Sequence, residues 1–128
     1  MAKRQSIEIP GFPHGNPIPG ASRIGGLVMS SIISGRNPDG SGMPEAVEDQ
    51  IANIFKHIRA GIETAGGTPD DIIKVDFWME DPASGRALLN DEWVKMFPDE
   101  DSRPARHTQH LPPGGASKVS CNFTAFIQ

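Results

Sequence analysis

One long amphipathic stretch, Pro44 to Ala65, constrains this chain more than any other feature. Val47, Ile51, Ile54, Phe55, Ile58 and Ile62 recur along it at helical spacing. Pro44 suits a first helical turn, and Gly66-Gly67 suits a stop. A helix with one wide apolar stripe draws most of its stability from whatever covers that stripe. The rest of the chain must therefore supply a matching apolar surface.

The flanking segments read as strands that can form it. Ile72 to Glu80 alternates. Ile73, Val75, Phe77 and Met79 are expected on one face, and Lys74, Asp76, Trp78 and Glu80 on the other. Arg23 to Ser34 reads as a single strand apolar on both faces, with Leu27, Met29 and Ile33 opposite Val28 and Ile32. Ala105 to His110 and Lys118 to Ile127 read as two more. In the last, Val119, Cys121, Phe123, Ala125 and Ile127 share a face, and Ser120, Asn122 and Thr124 share the other. A short strand, Ile7 to Ile9, precedes a stiff loop from Pro10 to Gly20. Thr68-Pro69-Asp70-Asp71 has the residues of a capped single turn. Asp81-Pro82 opens a second helix, Ala83 to Phe97, with Leu89, Trp93 and Met96 or Phe97 on one stripe.

The order β-β-α-β-α-β-β predicts an α+β sandwich with the helices on one face of the sheet. The opposite face would carry Trp78, Val28, Ile32 and small polar groups. That face is too apolar for open water and too polar for a core. A homo-oligomer burying it resolves the conflict, and so do covering loops.

The bulk numbers exclude several classes. A length of 128 residues suits one domain over 1–128, with residues 1–22 as an N-terminal strand and Pro/Gly-rich loop. The net charge is −4 with no long block of like charge, so no electrostatic nucleic-acid footprint is present. No stretch approaches the roughly 18 to 20 apolar residues that span a bilayer. Lys3 and Arg4 are not followed by an apolar run, so no signal peptide is read. Cys121 is the only cysteine, which rules out an internal disulfide and makes a reducing, cytoplasmic compartment the default.

The chemistry concentrates at Pro104-Ala105-Arg106-His107-Thr108. An arginine held on a strand presents a fixed fork that matches a carboxylate through two parallel hydrogen bonds. The alternatives are an ordinary salt bridge or a solvated surface arginine. Among the histidines, His14 sits in the stiff loop and is a candidate acid/base or binding group. His107 and His110 are three apart on a strand and face opposite sides, a poor metal site, with His110 on the Arg106 face. His57, on the long helix, is expected at the surface.

Further residues carry a resemblance. They are Gln50 and Asn53, Ala65-Gly66-Gly67, Ile72-Ile73-Lys74-Val75, Asn90-Asp91-Glu92-Trp93 with Phe97, the Pro104 to Thr108 run, and Pro112 and Gly114. In this order, over roughly residues 16 to 128, the chain resembles the Rid proteins (YjgF/RidA, reactive intermediate deaminases). The resemblance implies a chorismate-mutase-like sandwich assembled as a homotrimer, with a central barrel and clefts between subunits. It implies cofactor-free hydrolysis of enamines and imines such as 2-aminoacrylate to a ketoacid and ammonia. One similar branch acts on 2-aminomuconate.

Carried over by position, the family's carboxylate-binding arginine falls on Arg106, with Thr108 where serine or cysteine is frequent. The helix asparagine falls on Asn90 and the second-strand serine on Ser31. Three positions depart from the pattern. The tyrosine that often lines the cleft falls at Ile18, a Ser-Gly pair becomes Ser31-Ile32, and the water-activating glutamate falls at Asn122. An amide can hold a water but cannot take its proton. The departure at Asn122 leaves two expectations open: a deaminase using another base such as His14, or a non-catalytic small-acid-binding or stress-related holdase relative.

Overall fold

The computed structural model describes residues 3–128, so the first two residues of the expected N-terminal segment lie outside it. The elements are β1 (Gln5–Ile7), β2 (Ala21–Ile24), β3 (Leu27–Ser30), β4 (Ile33–Ser34), α1 (Val47–Thr64), a 3-10 turn (Pro69–Asp71), β5 (Ile72–Met79), α2 (Pro82–Met96), β6 (Ala105–His110) and β7 (Val119–Phe126). The strands form one mixed sheet in the order β1-β2-β3-β7-β5-β6, with β4 also paired to β7. Only β5 and β6 run parallel; the other pairs are antiparallel. Both helices cover one face, so the expected α+β sandwich is the observed fold.

The α1 stripe is buried as its spacing predicts, with Ile51, Ile54, Phe55, Ile58 and Ile62 in the core. They meet Val75, Phe77, Cys121, Phe123 and Ala125 from the central strands β5 and β7. Gly66 ends the helix at a φ of +100°, a conformation that costs glycine little. The Thr68 cap forms as expected, its hydroxyl accepting from the Asp70 amide.

Several expectations about the fold need correction. The long helix begins at Val47 after an extended Ala46, so Pro44 lies before it rather than in its first turn. The single strand Arg23 to Ser34 is a hairpin followed by a short third piece. Gly25 adopts a φ of +56° and turns the chain, so β2 pairs with β3 instead of running on into it. The turn also fixes which face each residue takes, because a slip of one residue exchanges the faces. Val28 is fully buried beneath the helices, while Leu27 and Met29 take the open face. A second break at Ser31 and Ile32 returns Ile33 to the core, so it does not share a face with Leu27 and Met29. Ile73 is exposed because a register shift between Ile72 and Lys74 places Ile72 inward. The first strand ends at Ile7 rather than spanning Ile7 to Ile9, since β1 pairs only with Ala21 to Arg23.

Candidate functional site

Arg106 lies opposite Val75 in the parallel β5–β6 pair, and Val75 is buried beneath the helices. Its side chain is therefore on the helix side of an edge strand. There α2 receives it: Arg106 Nη2 donates to Asn90 Oδ1 at 2.8 Å. The guanidinium carbon sits 5.1 Å from the centre of the Trp93 ring. Trp93 is itself fixed by edge-on packing against Phe97 and Phe77.

The electrostatics are unusual for a surface arginine. Burial, and after it the charge of Arg86, hold the Arg106 pKa below its ordinary value. The ion pairs among the described residues are Lys74–Asp76 and Lys95–Glu92, so no carboxylate neutralises Arg106. It is partly buried, bound to a neutral amide and an indole face, and close enough to a second guanidinium to feel its charge. Among the described residues, Arg106 forms no ordinary salt bridge.

Thr108 and His110 follow on the same face, opposite Phe77 and Met79. His107 is on the other face, as its spacing requires. Arg86 was not singled out from the sequence, and Trp93 was read there as a packing residue of the second helix rather than as part of the site. Their signal was available: positions 86, 90 and 93 recur at helical spacing and share one side of α2.

The remaining candidates form a second group. Asn122 sits between the buried Cys121 and Phe123 on β7, so its side chain is on the face away from the helices. Ser31 lies at the β3–β4 break, where its hydroxyl donates to the Pro19 carbonyl at 2.8 Å and its amide donates to the Gly20 carbonyl at 2.9 Å. This tethers the stiff loop that carries the exposed Ile18. Within one chain, Arg106 and Asn122 occupy opposite faces of the sheet.

His14 belongs to neither group. It packs edge-on against Phe12, which lies against His57 and beneath the Arg36 guanidinium. Its Nε2 is buried without a hydrogen-bond partner. His57 is buried rather than at the surface, because its Nε2–H donates to the Arg36 carbonyl at 2.7 Å in the connection after β4. Burial first, then the charges of Arg36 and Lys56, depress its pKa against the opposing effect of that hydrogen bond.

Known proteins share both frame and sequence. The family described as Endoribonuclease L-PSP matches residues 19–113. A RutC family protein from Aquifex aeolicus is 30% identical over 92 residues, spanning 72% of this chain and 73% of the relative. The chain belongs to the Rid (YjgF) family. RidA from an Antarctic Psychrobacter superposes with a TM-score of 0.84 at 26% identity, covering 96% of this chain and 99% of that one. The YjgF gene product of E. coli gives 0.85 at 20% identity over 97% and 99%, a likeness of fold. In this Rid chain the open face of β7 carries Asn122. No helix among the described residues is long and apolar enough to cross a membrane.

Proposed function

We propose that this Rid chain is a cofactor-free hydrolytic deaminase of small carboxylated enamines and imines, 2-aminoacrylate-like or 2-aminomuconate-like. The carrying observation is Arg106, a partly buried guanidinium with a neutral anchor, an aromatic floor and, among the described residues, no acidic partner. It would bind the substrate carboxylate through a bidentate pair, with Arg86 adding positive field and Thr108 a polar contact. A held carboxylate fixes the adjacent C=N carbon for attack by water. Addition gives a carbinolamine, which collapses to ketoacid and ammonia.

In this reading the active unit is a homotrimer. The Arg106 group of one copy meets the Ile18, Ser31 and Asn122 group of the next, because one chain cannot bring its two faces together. The exposed apolar residues of the open face support the same assembly.

The test generates 2-iminopropionate from alanine with an amino-acid oxidase and follows ammonia release above the spontaneous rate. Arg106→Ala is expected to lower kcat/KM by about 100-fold, the loss of a charge-assisted bidentate pair. Equal rates for the two proteins would remove the clamp. A second reading, a small-acid binder without turnover, is favoured by Asn122 and would show ketoacid binding with no imine hydrolysis. A nuclease reading draws no support from a net charge of −4.

A further inference from the structure

We propose that Asp76 supplies the carboxylate that Asn122 lacks, an inference that rests on the deaminase reading. Asp76 is the register partner of Asn122 across the antiparallel β5–β7 pair. Residues directly opposite in such a pair share a face, with Cβ atoms about 5 Å apart. On its other side, the parallel β5–β6 register sets Asp76 beside His107. Asn122, Asp76 and His107 thus form one row across three adjacent strands, on the face away from the helices.

Asp76 is available for chemistry. Its side chain keeps 26% of its surface exposed, and Lys74 Nζ lies 3.5 Å from Oδ1. No other ion pair engages this carboxylate among the described residues. Glu80 is the rival acid on β5's continuation, and its Oε2 is buried without a partner. Four residues of strand separate it from Asp76, about 13 Å, too far to share a water with Asn122.

The division of labour follows from what each group can do. The Asn122 amide holds the water by hydrogen bonds but takes no proton from it. Asp76 takes that proton as the water oxygen bonds to the imine carbon, and the C=N electron pair moves to nitrogen, which is protonated from solvent. The proton on Asp76 then passes to the amino group. The carbinolamine hydroxyl releases its proton to solvent, replacing the one taken up at nitrogen, as the C–O double bond forms and the C–N bond breaks, freeing ammonia. No oxidant, reductant or cofactor enters the balance.

The experiment again uses 2-iminopropionate hydrolysis, with pyruvate binding followed in parallel by titration calorimetry. Asp76→Asn preserves shape and is expected to lower kcat by about 100-fold while KM stays within about threefold, as for loss of a general base. Pyruvate affinity should be unchanged. The exchanged pair, Asp76→Asn with Asn122→Asp, returns a carboxylate to the row and is expected to recover about tenfold of the lost kcat. It also separates lost chemistry from lost folding. Glu80→Gln should keep the wild-type kcat. An Asp76→Asn protein with wild-type kcat, a deficit confined to KM, or a loss found only in Glu80→Gln would overturn the assignment and leave the deaminase reading intact. A wild-type protein that binds pyruvate yet releases no ammonia above background would overturn both.

Discussion

At the scale of single residues, the chain holds two basic side chains in opposite states. Arg106 stays charged in a partly dry setting because Asn90 and Trp93 offer it polarity without opposite charge. His57 is the reverse: an imidazole that burial keeps neutral, with its one proton given to the Arg36 carbonyl. A histidine whose pKa falls on folding is protonated first in the unfolded chain. Its stabilising contribution is complete above the unfolded value of 6.5 and is lost as pH drops from there through the folded value. The urea midpoint should therefore fall between about pH 7.5 and about pH 5.5, with a slope from this group of up to about 1.4 kcal/mol per pH unit. His57→Gln can keep a donor toward the carbonyl but cannot titrate, so its midpoint should be flatter over that range. An identical pH dependence in the two proteins would assign the effect to other groups.

At the scale of elements, the residues that marked the family in sequence turn out to be structural. Gln50 is fully buried on α1. Its Nε2 donates to the Pro44 and Ala116 carbonyls at 2.8 and 3.0 Å, and its Oε1 accepts from the Lys118 amide at 2.8 Å. One side chain thus ties the start of α1 to the approach to β7. Asn53 does similar work for the connection after β4, donating to the Gly35 carbonyl and to Asn37 Oδ1. Gln50→Leu would leave an amide and two carbonyls unpaired where water enters poorly, at a cost of about 2–3 kcal/mol. Urea unfolding should show that loss, with faster amide exchange at Lys118 than elsewhere in β7. A midpoint within experimental error of wild type would mean that solvent satisfies those groups.

The same scale shows where sequence was readable. The α1 stripe, the Thr68 cap and the alternation of β7 were legible because period and burial coincide there. Arg23 to Ser34 was not, because apolar residues on both faces carry no sign of which face is inward. That choice was made by the turn at Gly25 and the register with β7. The partner of Asn122 was hidden for a related reason: strand register is a pairing between distant segments, and no local pattern in β7 names Asp76.

At the scale of the whole molecule, the open face is the surface on which the proposed assembly rests. Ile24, Leu27, Met29 and Phe126 lie together there, with exposures of 52%, 44%, 54% and 50%, and Ile32 adds 48%. Toward the other end the face turns polar, through Thr124 and Lys74 to the row of Asn122, Asp76 and His107. An apolar end beside a polar row is what a subunit contact bordering a cleft requires. The proposed trimer would bury the first and frame the second with the neighbour's Arg106. Sedimentation of the wild-type protein at about 10 µM should then give a mass three times the 13.8 kDa of one chain. Met29→Glu places an unpaired charge in that contact, at a cost of several kcal/mol per interface. It should sediment as a monomer with wild-type far-UV circular dichroism and lose at least about tenfold in deaminase activity, since a lone chain keeps Arg106 and Asn122 on opposite faces. A Met29→Glu monomer that hydrolyses imines at the wild-type rate would show that one chain holds a complete site.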